Sequence, residues 1–256
     1  MPSHHLNFDA NSIVTRGLID TVAALRAVVA HRSMAAIYGR PGVGKTYAFG
    51  TAIEIGLDIE VIEIDPIERI TPKSLALEIS EGLTGQPPRG TLRDLDRALL
   101  RELLPGREFL LVIDEAQRLN HDCCEYVRRL WDARQKAHAL HRETAFAVAF
   151  VGGHGCFETL YRHPMLRRRI GWWVHIEPLS PDAVTVEIPK LNPQLLGGCA
   201  KETLLRIDEE YAHGILGWWI DFLLKARDVC DEDGKDVVDD DVVDAVIATR
   251  SAARAA

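Results

Sequence analysis

The sequence predicts an α/β chain: a five-stranded parallel sheet flanked by helices, followed by a small C-terminal helical lid. Three observations predict it. Apolar runs at 34–38, 109–113 and 144–151 lack polar alternation, as expected of parallel strands covered on both faces. Segments of helical period alternate with these runs, which puts helices on both sides of the sheet. After Pro178 the strand pattern stops and only helical periodicity continues.

Taken in order, residues 1–15 read as an irregular lead-in, 16–178 as the core and 179–256 as the lid. Residues 16–31 form an amphipathic helix whose apolar positions are Leu18, Ile19, Val22, Leu25 and Val28. The first strand, 34–38, ends at Gly39. Residues 45–55 then read as a helix that turns Tyr47, Ala48, Ala52 and Ile55 inward. Residues 58–64 give the second strand. Helices over 71–83 and 91–104 are joined by Gly85-Gln86-Pro87-Pro88-Arg89-Gly90, whose glycines and prolines favour a turn. After strand 109–113, a helix runs from Asn120, a good N-cap, to Ala139. Strands 144–151 and 173–176 complete the sheet. The lid holds helices over 181–187, 201–212, 216–229 and 240–250, with Asp231-Glu232-Asp233-Gly234 separating the last two.

The chain has 256 residues, 47% of them hydrophobic, enough for a medium α/β domain and a small accessory one. No apolar run approaches membrane-spanning length, and the first residues lack a basic and then apolar leader pattern, so a cytoplasmic protein is expected. Five cysteines, Cys123, Cys124, Cys156, Cys199 and Cys230, form no metal or redox spacing. The net charge of −8 lies within 228–244, which holds eight aspartates, Glu232 and Lys235; the remainder is balanced. Acidity therefore does not exclude nucleic-acid binding by the core. An EF-hand with Gly234 as its sixth position would need an acid where Val229 stands, so this stretch reads as a solvated turn and helix start.

The chemistry is carried by two segments. Gly39-Arg40-Pro41-Gly42-Val43-Gly44-Lys45-Thr46 spells G-x-x-x-x-G-K-T between a strand and a helix. The glycines let successive backbone N–H groups converge on a phosphate, and the helix starting near Gly44 adds its positive end. Lys45 reaches the β- and γ-phosphates, and Thr46 offers its hydroxyl to Mg²⁺. Pro41, Val43 and Tyr47 complete the residues expected around the nucleotide. Strand 109–113 ends in Asp114-Glu115, the Walker B arrangement: Asp114 towards Mg²⁺, Glu115 to orient and polarise the attacking water. ATP and Mg²⁺ are the expected ligands.

The chain resembles AAA+ ATPases of the transposition-regulator type, the TnsC, TniB and MuB-like proteins, relatives of ExeA-type ATPases and of the DnaC and IstB loaders. The resemblance rests on Thr15 with its following helix, GRPGVGKT at 39–46, TPKSL at 71–75, LLVIDEAQRL at 110–119, AFVGGHG at 149–155, HPMLRRRI at 163–170 and IEPLS at 176–180. It implies self-assembly, with ATP between neighbouring subunits and an arginine of one reaching the γ-phosphate held by the next. Arg169 matches the family position best, and Arg168 is second. The family's polar residue at the end of the fourth strand falls here at Gly153, with His154 as a substitute. The lid arginine that senses phosphate in many relatives is absent beside Trp218-Trp219, leaving Lys225 and Arg227 as substitutes. Both departures predict slow hydrolysis. The resemblance also implies sequence-independent contacts to double-stranded DNA through Lys73, Arg89, Thr91 and Arg93. Arg128, Arg129 and Arg134 form a second basic stripe.

The leading expectation is an ATP-dependent, DNA-binding AAA+ ATPase that oligomerises on double-stranded DNA and regulates or recruits a transposase, with a target-selection protein as a further partner and no membrane. A helicase loader and a weakly hydrolysing, nucleotide-switched scaffold or signalling module are the alternatives.

Overall fold

The computed structural model describes residues 11–55, 57–66, 70–86, 88–103, 108–138 and 145–255. Residues 1–10 of the lead-in, Leu104, Ala139 and Thr144 therefore lie outside the described residues. Two compact units divide the chain: 20–41 with 45–176, and 42–44 with 177–256 and the described part of 1–19.

The first helix, α1, spans Arg16–His31 and is followed by strand β1, Met34–Gly39. The segments that follow are α2 Lys45–Glu54, β2 Glu60–Ile64, α3 Pro72–Thr84, α4 Leu92–Leu103 and β3 Glu108–Ile113. A 3₁₀ turn, Ala116–Arg118, leads to α5 His121–His138. Then come β4 Ala145–Gly152, α6 Cys156–Tyr161, α7 Pro164–Arg167 and β5 Ile170–Ile176. All strand pairings are parallel and the order is β2-β3-β4-β1-β5. The five-stranded parallel sheet flanked by helices is thus the observed fold.

Composition explains the order. The inner strands β1, β3 and β4 are buried almost throughout, whereas edge strands β2 and β5 expose alternate residues. One face of the sheet packs Met34, Ala36, Leu111, Ile113, Val148 and Phe150 against Leu75, Ile79, Val127 and Leu130 of α3 and α5. The chain leaves β1 towards β2 but leaves β4 towards β5. These neighbours therefore diverge, and the crevice beyond their C-terminal ends is where ligands bind in open α/β sheets.

Local signals fix the helix starts. The Thr71 side chain accepts from Ser74 N, completing a capping box for α3. Asn120 Oδ1 accepts from Cys123 N at 2.9 Å, capping α5 as the sequence suggested. Inside α2 the inward residues are Ala48, Phe49 and Ala52, while Ile55 is 54% exposed, so Phe49 takes the place expected of Ile55. Ile19 of α1 is likewise exposed.

Residues 177–256 are helical: α8 Pro181–Leu191, α9 Pro193–Leu196, α10 Lys201–Ile207 continuing into a π-helical turn to Ala212, α11 Leu216–Asp233 and α12 Asp240–Ala255. Helix α8 runs through Pro189, past the end at 187 that the sequence suggested. Ile188 and Leu191 are buried on either side of that proline, and their packing holds the last turn despite the lost donor. Trp219, fully buried, donates its indole N–H to Asp208 at 3.0 Å, beside Tyr211 and Phe222. Trp218 is the exposed member of the pair. Gly42–Gly44 pack within this unit: Gly217 N donates to the Gly42 carbonyl at 2.8 Å, and a Cβ on Gly42 would meet Ile215 at 2.9 Å. Among the described residues, no helix is long and apolar enough to cross a membrane.

Candidate active site

Strand β1 ends at Gly39 and α2 starts at Lys45, so the G-x-x-x-x-G-K-T residues form the turn between them. Gly42 and Gly44 take φ of +79° and +96°, a region that disfavours residues with a Cβ, which explains the glycines there. Lys45 Nζ donates to the carbonyls of Gly39 at 3.1 Å and Arg40 at 3.0 Å. Thr46 is exposed in the first turn of α2, Pro41 is exposed and Val43 is buried. Tyr47 is half-buried, and its hydroxyl is among the buried polar atoms without a partner.

Strand β3 delivers the acids. Asp114 Oδ1 accepts from Glu115 N at 2.7 Å, and Asp114 N donates to the Ile64 carbonyl at 2.8 Å. Glu115 has φ +47°, ψ +39°, a left-handed backbone that costs a non-glycine residue about 1–2 kcal/mol. The strained residue stands where β3 gives way to the 3₁₀ turn, and strain of this kind clusters at functional sites. Burial pushes the Asp114 carboxyl above the usual aspartate range and the Lys45 ammonium below the lysine range; each charge lies close enough to the other to offset part of this. Hard oxygen donors, the Asp114 carboxylate and the Thr46 hydroxyl, together with two charges short of compensation, suit Mg²⁺ and phosphate. Among the described residues, no group of three or more His, Cys, Asp and Glu could hold a metal ion.

A contact that sequence reasoning missed links this acid pair to β4. Gln117 Nε2 donates to Glu115 Oε2, and Gln117 Oε1 accepts from Gly153 N at 2.9 Å. The adjacent glycines make the room. A Cβ on Gly152 would lie 2.6 Å from both Gln117 Oε1 and Cys156 Sγ. The sequence signal was present, as a glutamine two residues after the glutamate and a Gly-Gly pair ending β4, but nothing in the sequence alone ties the two. His154, the expected substitute for a polar residue at 153, is exposed. Cys156 is buried, and burial pushes its thiol up to about 12. Cys123 and Cys124 are buried too, raised to about 11 and about 12, which leaves them inert packing groups.

The arginine segment divides sharply. Arg169 is clamped in its own chain, donating from Nε to Asp132 Oδ1 at 2.5 Å, from Nη2 to Oδ2 at 2.7 Å, and to the Met165 carbonyl. Asp132 also holds Arg128 at 2.6 Å. Arg168 is exposed and, among the described residues, has no side-chain partner. Arg167 lies over the Tyr161 ring at 4.3 Å.

The expected DNA contacts Lys73, Arg89, Thr91 and Arg93 are all exposed. The Thr91 hydroxyl donates to Asp94 Oδ2 at 2.6 Å and accepts from Asp94 N at 3.4 Å at the start of α4. In the second basic stripe, Arg128 pairs with Glu125 and Asp132, and Arg129 pairs with Asp96. The Arg134 side chain lies outside the described residues. Lys225 donates to Asp221 and to the Tyr211 hydroxyl.

A sequence comparison with curated proteins gives no match. Among solved structures, the chain is similar to the Aeropyrum pernix ORC2 protein (ADPNP-ADP complexes): TM-score 0.70, 15% identity, 95% of this chain and 70% of that one. It is also similar to Cdc6p from Pyrobaculum aerophilum: TM-score 0.71, 20% identity, 91% of this chain and 66% of that one. A third similar structure is the Aeropyrum pernix ORC1 protein in complex with DNA: TM-score 0.65, 16% identity, 96% of this chain and 68% of that one. The chain thus spans about two thirds of the length of these proteins. At such identities the likeness concerns the fold. The family model described as an AAA domain matches residues 29–160, just over half of the chain and the segment that carries Lys45, Asp114, Glu115 and Gln117. The chain belongs to the AAA family of ATPase domains.

Proposed function

We propose that this AAA protein is an ATP hydrolase that assembles with copies of itself on double-stranded DNA and regulates or recruits a transposase. The observation that carries the hydrolase reading is the convergence of Lys45, Asp114 and Glu115, with the opposed shifts of Lys45 and Asp114. The Lys45 ammonium and the loop N–H groups bind the β- and γ-phosphates. Thr46 and Asp114 would hold Mg²⁺, which when bound neutralises phosphate charge. Glu115 orients a water in line with the γ-phosphorus and accepts its proton. The water oxygen bonds to phosphorus as the bond to the β–γ bridging oxygen breaks, its electron pair leaving with ADP. Gly153 and the lid offer no side-chain phosphate sensor at the family positions, so turnover is slow.

The arginine acting in trans is Arg168 rather than Arg169. Arg168 is exposed and unpartnered among the described residues, while Arg169 is spent on Asp132 and braces the segment from below. Lys73, Arg89 and Arg93 supply phosphate contacts to DNA, and Thr91 supplies little because its hydroxyl donates to Asp94. The similar Aeropyrum pernix ORC1 protein, solved in complex with DNA, supports the DNA reading. The transposase, and with it a role in transposition and DNA recombination, rests on the sequence resemblance.

Electron microscopy with a slowly hydrolysed ATP analogue, with and without double-stranded DNA, tests this. Rings or filaments that need nucleotide and grow along DNA are expected, and Arg168→Ala is expected to abolish them with ATP binding intact. Particles that stay monomeric under every condition would overturn the assembly reading.

A further inference from the structure

The contact between Gln117 and Glu115 has no place in the roles assigned above, and its geometry is specific. The Gln117 amide makes two bonds at once: its N–H₂ donates to Glu115 Oε2, and its carbonyl accepts from Gly153 N at 2.9 Å. Its orientation is fixed from both sides, because a backbone N–H demands the oxygen and a carboxylate demands the nitrogen. Gly152 leaves the space the amide fills: a Cβ there would lie 2.6 Å from Gln117 Oε1. Glu115 is held on the same oxygen's side by Arg118, whose Nη2 lies 3.8 Å from Oε2 and whose Nη1 is anchored on Asp65 and the Pro66 carbonyl. Both neighbours therefore act on Oε2, and Oε1 has no donor within hydrogen-bond distance among the described residues.

From this geometry we infer that Gln117 is the positioning residue for Glu115, tying the carboxylate to the end of β4 so that Oε1 faces the water. It provides, from the turn after β3, the polar group that Gly153 lacks on β4. The inference rests on the hydrolase reading. Gln117 gives and takes no proton in the hydrolysis; it fixes where the accepting oxygen stands. A carboxylate left free to rotate by about 1 Å loses on the order of 100-fold in rate, and partners one step removed from a reacting group typically contribute about 10- to 100-fold. The loss should fall on kcat, since the Gln117 side chain bonds to Glu115 and to Gly153 N rather than to Lys45 or Thr46.

Two variants separate positioning from packing. Gln117→Met keeps the volume and removes both bonds. Gln117→Glu keeps an oxygen for Gly153 N but sets a second carboxylate against Glu115. Turnover of Mg·ATP, ATP affinity and thermal unfolding are measured for each, alongside Glu115→Gln and the double variant Glu115→Gln/Gln117→Met. The expected result is a kcat lowered about 10- to 100-fold in both Gln117 variants, with ATP affinity within about 3-fold of the parent protein and the double variant no slower than Glu115→Gln. Unchanged kcat in Gln117→Met and Gln117→Glu, with Glu115→Gln inactive, would overturn the positioning role and leave the hydrolase standing. A Glu115→Gln protein that turns over normally, or a parent protein without turnover alone or with double-stranded DNA, would overturn both. If one variant fails to fold, the other decides.

Discussion

Gly152→Ala is a small change with a large expected effect, because three atoms converge on the missing side chain. The new Cβ would stand 2.6 Å from Cys156 Sγ, 2.6 Å from Gln117 Oε1 and 2.7 Å from Cys156 Cβ. Ordinary contacts there are near 3.5 Å or more, so each neighbour must withdraw by close to 1 Å. Gln117 can swing away, but the Cys156 Cβ belongs to the first residue of α6, fully buried, and moves only with its helix. Gly152 itself sits in strand register opposite Tyr38, so β4 cannot easily yield. Overpacking of this kind costs about 1–3 kcal/mol. For a chain of this size that lowers Tm by roughly 2–4 °C per kcal/mol. Gly153→Ala is the matched control, since its nearest neighbour would be 3.5 Å away and its φ is not in the left-handed region. Thermal unfolding followed by circular dichroism, with ATP turnover on the same samples, should show Gly152→Ala destabilised and slowed and Gly153→Ala close to the parent. Two alanine variants that unfold together, or a Gly153→Ala that is the less stable, would refute overpacking at Gly152.

Two further outcomes follow from the charges. Asp132→Ala removes the carboxylate shared by Arg128 and Arg169, both partly buried, and should cost about 1–2 kcal/mol in a urea melt. It should also weaken nucleotide-dependent assembly by freeing the 163–169 segment that carries Arg168; assembly unchanged by the loss of Asp132 would show that the clamp is irrelevant to it. Asp114→Asn should raise the Tm of the nucleotide-free protein at pH 7. Burial holds the folded Asp114 above its ordinary range, so its contribution is fully favourable below about pH 3.8 and is lost as pH rises through the raised folded value. The advantage of Asp114→Asn should therefore shrink as the melt is repeated at progressively lower pH, and Mg·ATP should stabilise the variant less than the parent protein. A lower Tm for Asp114→Asn at pH 7 would contradict this.

How much of this was legible in the sequence depends on the range of the interaction. Gly42, Gly44, Lys45, Thr46, Asp114 and Glu115 were readable because phosphate and metal chemistry fixes residue type at short spacing. Helix starts at Thr71 and Asn120 were readable because a cap is a bond between residues three apart. The buried strands β1, β3 and β4 were readable from unbroken apolar runs. By contrast, the clamp on Arg169 comes from Asp132, 37 residues earlier, and the Gln117 bridge reaches Gly153, 36 residues later. Such pairs depend on which strand lies beside which, and the order β2-β3-β4-β1-β5 is not written in any local pattern. The basic stripe on α5 illustrates the same point: Arg128 and Arg129 look free in sequence, but α5 itself and Asp96 of α4 supply their acids. In α8 the sequence suggested an end at 187, but the helix continues through Pro189 to Leu191, where packing holds it.

The most direct test of the central claim is hydrolysis of Mg·ATP by Glu115→Gln, measured in single turnover beside ATP binding by calorimetry. Binding equal to the parent protein within a few-fold and hydrolysis lowered by at least about 100-fold are expected, because the residue acts on the water and not on the nucleotide. Hydrolysis at the parent rate with binding intact would contradict the claim.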